Sequence, residues 1–210
     1  MNKRYAIFDF DGTLVDSMPY WQNLACEYLL SKGIDFDKEK TSKAIQTMTM
    51  TQSAEYFISE FKIEGTPASV SAEINALMDK HYENDVSLKK GVKEYIEKLY
   101  SSGVRLCVAS ATDKELVAAC LKRLMIYEFF EFVLSCEDVG VGKDKPDIFL
   151  KAASLFSSKP SNIAVYEDAL YAIKTAKRAG FYTIAVYDLA SKSHWQEIEA
   201  LADEIIYSWQ

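Results

Sequence analysis

Four short stretches of the sequence hold residue types that could act on a phosphate ester. The first is Asp9-Phe10-Asp11-Gly12-Thr13, the second Ser110 with Ala111, Thr112 and Asp113 after it, the third Gly142-Lys143 and the fourth Glu167-Asp168. A set of carboxylates suits Mg²⁺, a hard cation that takes oxygen ligands and shares its shell with phosphate. A carboxylate can also attack phosphorus, which splits one difficult displacement into two easier ones. A hydroxyl and an ammonium can then hold the phosphoryl oxygens in line and offset the charge that develops on them. Each piece alone is ordinary. An Asp-x-Asp is usually a solvated turn, an acidic pair often opens a helix to complement its dipole, and most lysines lie at the surface. The weight rests on the set.

Such residues need a scaffold that gathers them, and open parallel sheets bind ligands at the carboxyl ends of their strands. Tyr5–Phe10 is a short apolar run ending in an acidic Gly-Thr turn, as a buried strand would be. Val104–Ala109, Phe132–Ser135, Ile163–Tyr166 and Tyr182–Val186 read as further strands. Helices are expected over Val92–Ser102, Asp113–Met125, Pro146–Phe156 and Ala169–Ala179, with Pro146 at a first helical position and Gly180 as a stop. This alternation predicts a parallel sheet with helices on both faces. Residues 16–87 differ. Apolar stripes at helical spacing run through Pro19–Lys32, Thr51–Phe61 and Val70–Tyr82, with a weaker one over Asp37–Met48 and no strand between. The expected architecture is a Rossmann-like three-layer α/β core of residues 1–15 and 88–210, carrying an inserted α-helical domain of residues 16–87. All four chemical stretches then fall at strand ends on one edge of the sheet.

Bulk composition narrows the partners. The 210 residues carry a formal charge of −7, which argues against nucleic acid as the main partner. Cys26, Cys107, Cys120 and Cys136 are scattered without a C-x-x-C pair, and His81 and His194 lie far from them in sequence. This spacing reads as free buried thiols in a reducing compartment rather than a zinc site. His81 lies on the apolar stripe of its helix and reads as a packed residue, His194 as a surface one. A charged N-terminal pair running straight into a strand does not resemble a signal peptide, and no apolar run approaches the roughly 20 residues that cross a bilayer. A cytoplasmic protein with no membrane partner is expected, and a monomer is favoured.

The residues Asp9-Phe10-Asp11-Gly12-Thr13-Leu14-Val15-Asp16-Ser17 resemble the first motif of the haloacid dehalogenase (HAD) superfamily, in its phosphatase and phosphomutase branch. Ser110 after Leu106-Cys107-Val108-Ala109 resembles the second motif. Gly142-Lys143-Asp144-Lys145-Pro146-Asp147-Ile148-Phe149 resembles the third, and Val165-Tyr166-Glu167-Asp168-Ala169 the fourth. The motifs stand in the family's order and the resemblance covers essentially the whole chain. It implies a HAD-like core whose helical insertion is a mobile cap. It further implies that Asp9 is the nucleophile and a metal ligand, and that Asp11 is the acid and base, its backbone carbonyl also binding metal. Ser110 and Lys143 would hold the phosphoryl group, with Gly12, Thr13 and Ala111 beside it and backbone N–H groups around Asp11 and Gly12 as further donors. Asp168 would complete the Mg²⁺ ligands, Glu167 helping directly or through water. The family often has proline directly after the lysine of the third motif. Here Asp144 stands there with Lys145 next, which leaves Lys145 as the alternative phosphate ligand. Tyr20 and Trp21 lie just past the first motif, where they would line a substrate pocket or pack within the cap.

Among activities, dehalogenation is disfavoured because the resembled dehalogenases lack the second acidic residue that Asp11 supplies. Mutases of the family carry a histidine about ten residues after the second aspartate, where this chain has Trp21, and a cap arginine in a loop resembling Thr47-Met48-Thr49-Met50-Thr51, which holds none. The expectation is a Mg²⁺-dependent phosphatase acting on a small phosphorylated metabolite through an aspartyl-phosphate. A phosphomutase like β-phosphoglucomutase is the first alternative, and a catalytically idle binding module the second, since a fold alone guarantees no function.

Overall fold

The computed structural model describes residues 3–45, 48 and 50–209. In chain order the elements are β1 (Tyr5–Phe8), α1 (Met18–Ser31), α2 (Lys38–Ile45), α3 (Met50–Phe61), α4 (Pro67–Asn84), α5 (Val92–Ser101) and β2 (Arg105–Ser110). They continue with α6 (Lys114–Arg123), β3 (Phe130–Ser135), α7 (Asp147–Leu155), β4 (Ile163–Glu167), α8 (Leu170–Arg178), β5 (Tyr182–Val186), α9 (Trp195–Leu201) and β6 (Glu204–Ile206). The chain divides into two compact units, Met1–Ser17 with Val86–Gln210, and Met18–Asp85.

In the first unit six strands form one sheet in the order β3-β2-β1-β4-β5-β6, every pair parallel. Parallel strands are covered on both faces, so they read as continuous apolar runs, and β4 is buried at all five residues. Alternate side chains serve opposite faces. Ile7, Cys107, Ala109 and Val165 join Ile148, Phe149 and Ala152 of α7 and Ala172 and Ala176 of α8 in one cluster. On the other face Phe8 stacks on Tyr166 at 4.1 Å between ring centroids, and Tyr95 of α5 and Trp209 meet Tyr166 at 6.0 and 5.9 Å. This is the three-layer α/β core that the alternating pattern predicts. Two elements were not foreseen, α9 and the edge strand β6. Pro146 also departs from expectation: it caps α7 from outside, and the helix begins at Asp147.

In the second unit α1 packs on α4 and α3 on α4. α4 opens on a capping box, Thr66 Oγ1 accepting from the Ser69 N–H while the Ser69 hydroxyl accepts from the Thr66 N–H, with Pro67 next. Buried Leu24, Tyr28 and Leu29 of α1, Phe57 of α3 and Ile74 and Met78 of α4 form its interior.

The chain leaves the first unit after Ser17 and returns at Val86, and the two crossings are zipped within that unit. The Asp16 N–H donates to Ser87 O at 2.9 Å, Val15 and Leu88 form an antiparallel bridge, and the Lys89 N–H donates to Leu14 O at 3.0 Å.

Candidate active site

The sheet places the first and fourth motifs side by side because β1 pairs with β4. The Asp9 N–H donates to Tyr166 O at 2.9 Å, carrying the pairing one residue past β1, so Asp9 ends level with Glu167. A tight turn follows, with Leu14 N–H donating to Phe10 O at 2.9 Å and Gly12 N–H to Val15 O at 3.0 Å. Gly12 has φ +77°, and a Cβ there would come within 2.7 Å of Asp168 Oδ2. Only glycine lets the turn lie against that carboxylate. Of the backbone N–H groups around Asp11 and Gly12 expected as donors, that of Gly12 is used here to close the turn on Val15.

Asp9, Glu167 and Asp168 are buried, and one oxygen of each lies within 4.8 Å of the others. Lys143 is buried with them. Its Nζ reaches Asp9 Oδ1 and lies 2.8 Å from Glu167 Oε2. Lys145 is exposed. Asp9 and Glu167 thus share one ammonium, while Asp168 is hydrogen-bonded by hydroxyls. Burial, then the Glu167 charge, raises the Asp9 pKa well above the usual carboxylate range against the pull of Lys143. Burial, then Glu167 and Asp188, pushes Asp168 up to about 7. Burial opposes the Lys143 charge, but Asp9 and Glu167 outweigh it and raise its pKa. The protein alone leaves negative charge uncompensated here, so the residues fit a divalent cation with oxygen ligands.

Asp11 is held from two sides. The Ser17 hydroxyl donates to its Oδ1 at 2.6 Å and the Thr112 hydroxyl to its Oδ2 at 2.7 Å. Thr13 donates to Asp168 Oδ1 at 3.2 Å. Ser110 is buried at the end of β2 and its Oγ accepts the Thr112 N–H at 3.0 Å. Ala111 beside it is exposed. Asp113 is spent on structure, capping α6 through the Glu115 and Leu116 N–H groups. Tyr20 and Trp21 belong to the helical unit. The Tyr20 ring lies 4.6 Å from that of His81, and Trp21 Nε1 donates to the Tyr82 hydroxyl at 3.2 Å. The loop at 47–51 that bears on the mutase reading lies partly outside the described residues, at Thr47 and Thr49.

Sequence reasoning missed four contributors. Ser17 stood inside the first motif and drew no role. Asp188 and Ser191 border Asp168 from a turn after β5, and Lys89, in the segment before α5, pairs with Asp188. Asp188 follows β5 by two residues, so extending the search for strand-end residues to that strand would have found it.

Comparison with known proteins agrees with this geometry. A family model described as haloacid dehalogenase-like hydrolase matches residues 6–186. The bifunctional riboflavin kinase/FMN phosphatase of Arabidopsis thaliana is 26% identical over 203 residues, 96% of this chain, but the chain spans only 52% of that protein's length. The β-phosphoglucomutase of Bacillus subtilis is 24% identical over 192 residues, covering 86% of this chain and 81% of that one. The crystal structure of CbbY from Rhodobacter sphaeroides in complex with phosphate superposes with a TM-score of 0.77 at 22% identity, over 98% of this chain and 94% of that one, which shows the shared fold. With strand order, acidic cluster and sequence match in agreement, the chain belongs to the haloacid dehalogenase-like hydrolases, in their phosphatase and phosphomutase branch.

Proposed function

We propose that the protein is a Mg²⁺-dependent phosphatase that hydrolyses a small phosphorylated metabolite through an aspartyl-phosphate on Asp9. The observation that carries this reading is the Asp9 carboxylate, buried at the sheet edge against Lys143 and grouped with Glu167 and Asp168. An Asp9 oxygen attacks phosphorus as the bond to the leaving oxygen breaks, and Asp11 gives that oxygen its proton. Asp11 then takes a proton from the water that attacks the aspartyl-phosphate, releasing phosphate and restoring Asp9. The Ser17 and Thr112 hydroxyls fix the direction of the Asp11 carboxyl, which a proton-transfer group requires. Lys143 orients Asp9 and, with the Ser110 hydroxyl, holds the transferring oxygens. Mg²⁺ held by Asp9, Asp168, the Asp11 carbonyl and Glu167, directly or through water, would offset the repulsion between an anionic phosphate and an anionic nucleophile.

The helical unit Met18–Asp85 is assigned the part of a cap, with Tyr20 and Trp21 as candidates to contact the organic part of the substrate. Among the described residues no helix is long and apolar enough to cross a membrane, in keeping with a small dissolved substrate. Similarity to a β-phosphoglucomutase keeps the mutase as the competing outcome. The test is to incubate purified protein and Mg²⁺ with a panel of phosphate esters, with Asp9→Asn as control. Release of inorganic phosphate by the wild type alone supports the reading. Isomerised hexose phosphate without release replaces it with the mutase, and no turnover of any ester leaves the idle module.

A further inference from the structure

Asp188 is a buried acid outside the four motifs, and it does three things at once. Its Oδ1 accepts the Ala190 N–H at 2.8 Å, closing the turn Leu189–His194. Its Oδ2 meets Lys89 Nζ at 2.8 Å, and both side chains are largely buried. Its carbonyl accepts the Ser191 N–H at 3.1 Å, which brings the Ser191 hydroxyl to 3.4 Å from Asp168 Oδ2. Lys89 also donates to Tyr187 O at 3.0 Å, so it grips the end of β5 at two points. Its own backbone is fixed to Leu14 O, in the segment that follows Gly12 and Thr13.

Asp168 therefore sits between two hydroxyl donors from opposite directions. Thr13 serves Oδ1 from the turn after β1, and Ser191 serves Oδ2 from the turn after β5. A carboxylate offers about four lone-pair sites, so each oxygen keeps room for a cation. Lys89 ties these two turns together, its backbone held by one and its ammonium by the other. A buried ion pair is a poor source of net stability against apolar packing, which leaves its geometric effect as what it contributes. Ligand carboxylates that are themselves hydrogen-bonded hold a metal in a fixed geometry.

We propose that Lys89, Asp188 and Ser191 are positioning residues for the Asp168 carboxylate, and that through it they set the affinity of the site for its divalent cation. The inference rests on the metal-site reading above, and the experiment separates the two. Binding of Mn²⁺, as a spectroscopic probe for Mg²⁺, is titrated by the paramagnetic resonance signal of the free ion, without substrate. The variants are Ser191→Ala and the double variant Lys89→Met/Asp188→Asn. The double variant removes both charges, so neither is stranded, and asparagine keeps the acceptor for the Ala190 N–H. Each is expected to bind Mn²⁺ about 10-fold more weakly or worse, while unfolding in EDTA near the wild-type temperature. Mn²⁺ affinity equal to wild type in both variants overturns the proposal, even if their melting temperatures fall, because a merely structural role predicts that pattern. Asp168→Asn is the control. If the wild type binds and Asp168→Asn does not, the metal reading stands whatever the other variants do; if the wild type itself binds no Mn²⁺, both fall together.

Discussion

Lys143 is the only cationic residue hydrogen-bonded within the described acidic cluster, so its removal is expected to act on folding and, on the proposed reading, on chemistry as well. Lys143→Ala leaves Asp9 and Glu167 buried without their partner. Breaking a buried ion pair from one side costs about 3–5 kcal/mol, and chemical denaturation in EDTA is expected to register a loss of that size. Added Mg²⁺ should narrow the gap, since a bound cation takes over part of the compensation; equal losses with and without it would argue against a cation at this site. Asp9→Asn should behave in the opposite way in EDTA. It removes one of several like charges, so stability holds or rises while turnover falls by about 10⁴-fold or more, as for other essential nucleophiles. Steady-state kinetics and a melting curve on the same preparation check both halves. At this scale much of the candidate site could be read from the sequence, because the motif residues follow strands whose apolar runs are unambiguous. Asp188 also follows an expected strand, two residues past β5, and the same reasoning carried to that strand would have reached it. Its ion pair was not legible, because Lys89 lies before α5, many elements earlier in the chain.

At the scale of elements, α1 and α4 are joined by more than apolar packing. His81 of α4 places Nε2 at 2.7 Å from Glu27 of α1 and Nδ1 at 2.7 Å from Asp85, the cap residue of α4. Desolvation opposes its charged form, but the two carboxylates outweigh this and raise its pKa. A histidine raised above its unfolded value of about 6.5 lends stability that is present below that pH and is lost as pH climbs through the folded-state value. The helical unit is therefore expected to melt at lower temperature as the buffer is moved upward from about pH 6.5. His81→Gln should abolish that dependence, and helical circular dichroism against temperature at several pH values reads both. The amphipathic stripes announced α1, α3 and α4 because each runs for three turns or more. The stretch Glu204–Ile206 gave no such signal, since three residues are too few for an alternating pattern to rise above chance. The seven residues of α9 follow a 3₁₀ turn and hide for the same reason.

On the scale of the molecule, the zipped crossings bear most on how the two units depend on each other. Because Asp16 and Ser87 are hydrogen-bonded and Val15 bridges Leu88, the ends of the helical insertion already lie together in the α/β unit. Replacing residues 18–85 with a short Gly/Ser linker is expected to leave that unit folded, with dispersed amide resonances and a cooperative melt. A collapsed product without cooperative unfolding would mean that the sheet needs the insertion to fold. In the sequence, the alternation of strands and helices puts the start of the insertion at residue 16. The clasp itself was not visible, for it rests on backbone groups that any residue types could supply. Its consequence reaches beyond folding. Melting of the insertion alone would turn it into a tethered loop, and the entropy of closing such a loop grows only slowly with its length. Limited proteolysis should then nick the chain between Met18 and Asp85 while both fragments stay associated through the intact sheet. A lineage could exchange the whole insertion for one of another size without disturbing a single strand register.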